Sequence, residues 1–406
     1  MSFLVKTALQ RAATGTTSLL PQSARTLLPS TFFGRNLSTT ANVVKLLPPL
    51  LKPSTLLQKI ICTRPMRVGQ FNISAALSVK NKAAQQVVHC YGHGGAGYTT
   101  LFGSVNHALN IFESTHPDKK IPIRVVGNGC VGRTMAIELY RRGYKVTGIT
   151  AQESIDLPSW KAAGRFGLAS LQTAALEKKR LDTICRDTFL AYKSMEKGLH
   201  PYLSREVVQY MPVYCDEGKD AGVEELEKIG LLPPAEKVTL DFMNGVQHDN
   251  YIRHMTYFID TSRLMLELGA ELHRLSIPLE TRELNSFEEC SEAVVFNCSG
   301  LGARRLNHDS SLVPVIGHMV ALSASAGELP YMISTAVVQD GKKEPIYLIP
   351  KKLSITKDAP LGAQTAGFLG GTFIEQRGDG SIDHASVFQK LLDRNHLFFH
   401  GRLYTG

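Results

Sequence analysis

No carboxylate occurs in this chain before Glu113, although eleven of its 45 Lys and Arg residues do. The remaining 34 basic residues face 36 acidic ones, so the formal charge of +9 belongs to the N-terminal end. A basic face on a folded domain is therefore not expected, nor is nucleic-acid binding. No apolar run reaches the ~18 residues of a bilayer span, so no membrane span is expected. The seven cysteines (Cys62, Cys90, Cys130, Cys185, Cys215, Cys290 and Cys298) are odd in number and hold no Cys-x-x-Cys pair. That argues against a disulfide framework and for reduced, buried thiols. His89 and His93 have the spacing of metal ligands on a helix, but Gly92, Gly94 and Gly95 break a helix there, so no metal is expected.

With 43% apolar and 20% charged residues the chain can bury a large core, and one intertwined α/β molecule is expected. Its opening is rich in Ser and Thr, carries Arg11, Arg25 and Arg35, and has the composition of an organellar transit peptide. Met1 to Leu20 can form a short helix with Phe3, Leu4, Leu9 and Leu19 turned away from Lys6 and Arg11. "GRNLSTT" resembles a processing site cut after Leu37. Residues 1–54 are expected to be a disordered or cleaved extension. The expected location is mitochondrial, with the cytoplasm as the alternative. The closing "LYTG" carries no peroxisomal tripeptide.

Two glycine-rich loops stand about thirty residues apart. In "IPIRVVGNGCVGRTMAIELYRRGYKVTGITAQE", an apolar strand over 121–126 runs through Gly127, Gly129 and Gly132 into a helix ending near Gly143, and a second strand follows over 145–150. Strand, turn, helix, strand with G-x-G-x-x-G at the first turn is the pattern of dinucleotide binding: one glycine turns, one admits a pyrophosphate, one lets helix and strand pack. The helix N-terminus offers N–H groups and a positive dipole end to that phosphate. The motif alone does not separate FAD from NAD. Gln152 or Glu153 stands where a ribose contact is expected. "SEAVVFNCSGLGARRL" is a buried strand over 293–297 ending in Cys298, Ser299 and Gly300, the kind of end a ligand lies across. "PIYLIPKK" and "GFLGGTFIEQ" are two further strands, the second with Gly370 and Gly371 inside it. The other loop, "HCYGHGGAGYTTLFGS", holds five glycines and feeds a helix marked by Leu101, Val105, Leu109 and Phe112.

"VVGNGCVGRTMAIEL", "AAGRFG", "VVFNCSGLGA", "IYLIP" and "LGGTF" follow one another as in the D-amino-acid oxidase family, which this chain resembles over about residues 58–400. The resemblance implies a glutathione-reductase-like FAD-binding fold, with a Rossmann-type βαβ unit, interleaved with an α+β substrate domain carrying an antiparallel sheet. "VVHCYGHGGAGYT" resembles a signature that the family carries near its C-terminus, and "CTRPMRVGQF" supplies the Arg-Pro pair expected about thirty residues before it. Residues 55–115 thus look like the family's last segment moved to the front, a circular permutation. The divisions that follow are 116–170 and 285–320 for FAD, 171–284 for most of the substrate domain, and 321–406 for substrate-domain strands and a closing helix.

Oxidation of an amino acid at Cα needs a substrate carboxylate held by a planar bidentate donor, which is arginine chemistry. By resemblance that residue is Arg64, the Gly95 carbonyl accepts the substrate amine, and the Tyr347 hydroxyl donates to the carboxylate. The resemblance likewise assigns Gly127, Gly129, Val131, Gly132, Glu153, Ala163, Gly164, Ser299 and Gly300 to FAD, and places Gly94, Gly97 and Thr99 toward the flavin's pyrimidine edge. A second tyrosine expected four residues before Tyr347 is replaced by Lys343, beside Lys342. These lysines either meet an acidic substrate side chain or are solvated. The implied reaction converts a D-amino acid to an imino acid and then a 2-oxo acid plus ammonia, with dioxygen reduced to hydrogen peroxide. Alternatives are an oxidase of glycine, sarcosine or another amine, a non-catalytic flavin-binding homologue, and an NAD-dependent dehydrogenase. Oligomeric state is open, a homodimer included.

Overall fold

The first glycine motif to be placed is that of the βαβ unit, which forms as strand Pro122–Val126, helix Cys130–Arg141 and strand Lys145–Ala151. The computed structural model describes residues 42–80, 83–115, 118–152, 156–168, 171, 178–216, 221–376 and 380–406. The leader helix expected over 1–20, the processing site after Leu37 and Glu153 lie outside them.

Among the described residues this unit belongs to a six-stranded sheet. Its order is Leu279–Thr281, Lys145–Ala151, Pro122–Val126, Val294–Asn297, Ala83–Tyr91, Asn72–Lys80. All pairs are parallel except the last. Every residue of Val294–Asn297 is buried, as a central parallel strand covered on both faces requires. Helix Leu101–Glu113 buries Leu101, Val105, Ala108, Leu109 and Phe112 in the same core as Ile123, Val125 and Phe296. Phe112 meets Phe296 edge-on with ring centroids 5.3 Å apart. The helical spacing read from the sequence is thus the buried face.

Among the described residues the second sheet has eleven strands and mixed direction. At its heart Leu312–Ser323 pairs antiparallel with Leu56–Arg67 on one side and Ala359–Gly370 on the other. Lys342–Ile349 and Met332–Gln339 continue the sheet as a hairpin. The mixed α/β architecture agrees with the expected class. The segment 56–113 is built into both sheets: its first strand lies in the large one, its next two in the small one.

Three expectations are corrected. The extension does not reach residue 54: Asn42–Lys45 is an edge strand paired parallel with Glu236–Asp241, and Leu46 and Leu51 are buried. Tyr331 also donates its hydroxyl to the Leu47 carbonyl at 2.6 Å. An acid-free stretch reads as leader by composition, but its last apolar residues are what the sheet edge covers. The "PIYLIPKK" strand starts earlier, at Lys342, and passes through Pro345. The "GFLGGTFIEQ" strand stops at Gly370, because Gly371 turns at φ +141° with the Pro345 carbonyl 2.1 Å from where a Cβ would stand. All seven cysteines are buried and none is in a disulfide among the described residues.

Candidate active site

A cavity of about 660 Å³ opens where the carboxyl ends of the six-stranded sheet meet the large sheet. The βαβ turn forms one wall. Gly127 adopts φ +116°, and a Cβ there would lie 2.3 Å from the Cys298 carbonyl oxygen. At Gly132 a Cβ would lie 1.9 Å from the Gly127 oxygen, so the helix can start this close to the strand only on glycine. Gly127, Gly129 and Val131 line the cavity; Gly132 sits behind them as the packing glycine. Gly129 at the N-cap has no side chain to cap the helix, and Ser159 Oγ, from another segment, takes the Cys130 N–H at 3.0 Å. Amides of the first turn beyond Cys130 have no intrahelical partner and form an anion site.

The neighbouring strand end is pinned from beneath. Buried Asn297 accepts from the Ser299 hydroxyl at 2.6 Å and from its N–H at 3.2 Å, and its Nδ2 meets His89 Nδ1 at 3.1 Å. This fixes Ser299 and Gly300 on the cavity wall, with Gly300 at φ +57°. At the far end Gln152 lines the cavity beside Arg282 and Glu283. Ala163 and Gly164 line the opposite side. Their loop is held by Lys351, a fully buried lysine that donates to the carbonyls of Trp160 (2.6 Å) and Ala162 (3.2 Å) and to Thr261 Oγ1 (2.7 Å). Burial pushes its ammonium down to about 8.

The second glycine loop supplies Gly92, His93, Gly94, Gly95 and Gly97. Gly92 and Gly94 need positive φ, +84° and +54°. His93 is buried and its Nε2 has no hydrogen-bond partner among the described residues; burial pushes its imidazole down to about 4, so it is neutral. Thr99 departs from expectation. Its hydroxyl donates to the Gly167 carbonyl at 2.8 Å and accepts the Gly167 N–H at 3.0 Å, and it does not line the cavity. Its task is to tie the glycine loop to the loop after Arg165. The helix itself begins at Leu101.

Arg64 and Tyr347 meet on the large-sheet side. Arg64 donates Nη1 to the Thr372 carbonyl at 3.1 Å and lies over the Phe373 ring, 4.2 Å from its centroid. Gly317 makes room: a Cβ there would stand 2.6 Å from Nη1. The Tyr347 ring lies across Gly370, whose Cβ would meet it at 2.1 Å. Burial raises the Tyr347 phenol, opposed by the nearby Arg64 charge, so the hydroxyl remains a donor at neutral pH. Lys343, four residues back and on the same face of the strand, also lines the cavity.

The charges are unevenly placed. The lining carboxylates are Asp156, paired with Lys161 at 3.3 Å, and Glu283, paired with Arg305. Around Tyr347 the charged lining residues Arg64 and Lys343 are cations. Of the residues expected to act, every described one except Thr99 and Gly132 faces this single cavity. His93, Asn297, Ser159 and Lys351 were not singled out for the site. His93, Asn297 and Lys351 stood inside quoted segments and Ser159 did not; the contacts of Asn297 with His89, of Lys351 with Trp160 and of Ser159 with Cys130 all cross the fold.

The sequence pattern of the family described as FAD dependent oxidoreductase (DAO) matches residues 123–402, and the chain belongs to that family. FAD is its cofactor. The residues present fit that group: glycines where a Cβ would fill the cradle, a helix N-terminus with a glycine N-cap and first-turn amides beyond Cys130 for the pyrophosphate, and a buried His93 Nε2 at the wall without a partner among the described residues. Among solved structures the chain is similar to the fructosamine oxidase Amadoriase II from Aspergillus fumigatus, with 14% identity, TM-score 0.40 and 63% of each chain covered. It is similar also to the L-amino acid deaminase from Proteus myxofaciens, with 11% identity, TM-score 0.40, and coverage of 82% of this chain and 69% of that one. The chain spans less than two thirds of the length of the amadoriase. No helix among the described residues is long and apolar enough to cross a membrane.

Proposed function

We propose that this FAD-dependent oxidoreductase oxidises the Cα–N bond of a D-amino acid, using dioxygen as oxidant. The observation that carries this reading is the Arg64–Tyr347 pair, a fixed cation and a phenol donor, on the wall of the same cavity as both glycine loops. In this reading Arg64 and Tyr347 hold the substrate carboxylate, and the Gly95 carbonyl accepts from the neutral amine, which places Cα and its hydrogen in one orientation. FAD, when bound, accepts two electrons from the substrate and passes them to dioxygen. Amino acid, dioxygen and water become 2-oxo acid, ammonia and hydrogen peroxide. No carboxylate is needed as base where the amine arrives neutral.

The chain order is proposed to be a circular permutation of the family's. The family match begins at residue 123, yet Arg64 and the loop Gly92–Gly97 come from before it and complete the cavity. Oxidation of glycine or sarcosine is the second reading, favoured by the same carboxylate clamp. Peroxide release over a panel of D-amino acids, L-amino acids, glycine and sarcosine separates them: activity confined to D-isomers is expected, and turnover of sarcosine alone overturns the first reading. The acid-free opening supports mitochondrial import, tested by imaging the full chain against one starting at residue 38.

A further inference from the structure

Behind the Arg64 guanidinium a chain of hydrogen bonds leads to the outside of the protein. Arg64 Nη1 donates to the carbonyl of Thr372. The hydroxyl of the same threonine accepts the His318 backbone N–H at 2.7 Å and meets the His318 ring at Nδ1, 3.0 Å away. The other ring nitrogen of His318, Nε2, lies 2.8 Å from Nδ1 of His384. His318 is completely buried, whereas His384, the first residue of helix His384–His400, is partly exposed. None of these contacts joins residues close in sequence except within the threonine itself.

The protons are assigned by giving each donor in the chain an acceptor. Thr372 Oγ1 accepts the His318 amide with one of its two lone pairs, and pointing its own proton at Nδ1 gives that proton a partner. Nδ1 is then an acceptor, Nε2 carries the ring proton and donates it to His384, and His384 keeps its own proton on Nε2. An added proton has no place in this pattern: it must reverse the Thr372 hydroxyl or part the two rings. Burial first, then the charges of His384 and Arg64, push the His318 imidazole down to about 4, which keeps the neutral pattern in force at neutral pH. The other charged groups on the packed elements are Lys59, whose ammonium sits 5.5 Å over the Phe388 ring that covers His318, Glu375 beside Val315 in the ladder, and Asp383, which caps the helix at Ser386.

We propose that Thr372, His318 and His384 form a positioning relay that holds Arg64 in place for the substrate carboxylate, with His384 as its solvent-side end. The proposal rests on the assignment of Arg64 to that carboxylate. With the relay neutral, the Thr372 carbonyl is held against Nη1. A proton taken up from solvent breaks the pattern and adds positive charge behind Arg64, loosening its aim. The relay reaches no reacting atom, so it governs carboxylate affinity and leaves the oxidation step alone.

The test uses the FAD-loaded full chain and four variants, His384→Leu, His384→Asn, Thr372→Ser and Arg64→Leu. Binding of acetate, read as a change in the flavin absorption spectrum, and KM and kcat are followed from about pH 3.5 to 8, a range that spans the His318 value of about 4. His384→Leu, which removes the acceptor, is expected to weaken acetate and raise KM about 3- to 10-fold with kcat changed less than about twofold. His384→Asn, whose amide oxygen accepts the same N–H without titrating, is expected to restore the affinity and flatten the loss of affinity on the acid side. Thr372→Ser should match the parent. Identical acetate affinity and acid limb in His384→Leu, His384→Asn and the parent overturn the relay, as does a fall in kcat equal to the rise in KM. Arg64→Leu isolates the underlying assignment: if it binds acetate as well as the parent, the reading of Arg64 has failed. If it alone loses acetate, only the relay has failed.

Discussion

Arg64 and Tyr347 are the residues on which the proposed chemistry turns, and both owe their positions to glycines. Replacing Gly370 by Ala puts a methyl 2.1 Å from the Tyr347 ring. The ring must move, so kcat/KM should fall at least about tenfold while FAD stays bound, at a stability cost of about 1–3 kcal/mol. Steady-state kinetics beside the flavin spectrum would separate the two effects. Lys343 lines the cavity four residues before Tyr347 and has no acidic partner among the described residues. Charge reversal, Lys343→Glu, is expected to lower kcat/KM for D-glutamate relative to D-alanine by about tenfold or more. An unchanged ratio would assign the lysine to solvent. Arg64 and Tyr347 were legible because their neighbours in sequence carry the resemblance. Thr99 was misread because its partner, Gly167, is 68 residues away and a threonine before a helix looks the same whether it faces a ligand or a loop.

At the scale of elements, the βαβ unit was the most legible part of the fold, since close strand–helix packing leaves glycines that no other residue can replace. Gly132→Ala would drive a methyl into the Gly127 carbonyl. Displacement of the helix start should strip FAD from the purified protein, visible as a lost yellow chromophore, with Tm also lowered. The same sheet is tied across its strands by ions: Arg124 donates to Glu292 at 2.8 Å, and Glu292 accepts from Thr147 at 2.6 Å. Burial alone would raise the Glu292 carboxyl, but these hydrogen bonds outweigh it and hold it below the usual carboxylate range. A depressed carboxylate stabilises the fold above its unfolded pKa and loses that contribution as pH falls through its folded value. Glu292→Gln should therefore cost stability at pH 7 and flatten the acid side of the Tm–pH curve. A parallel curve would assign the acid limb to other groups. These ties were illegible in sequence: Arg124, Thr147 and Glu292 lie on three separate segments and only the parallel register brings them together.

For the molecule as a whole, the described part of the segment before residue 115 holds two strands in each sheet, Arg64, proposed above to hold the substrate carboxylate, and one of the two glycine loops. Composition hid this, because the acid-free run that reads as leader continues into residues the fold buries. If the chain order is a permutation, rejoining residues 42–115 through a flexible linker behind residue 406 should yield a protein that binds FAD with the parent's spectrum. Failure to take up FAD would count against it. The account's central claim is tested most directly by anaerobic bleaching. Residues 38–406 loaded with FAD are mixed without oxygen with a set of D-amino acids, and separately with the matching L-set, while the visible spectrum is recorded. Loss of the oxidised flavin band with the D-set alone is the predicted result. A spectrum that neither set bleaches would contradict the proposed oxidation.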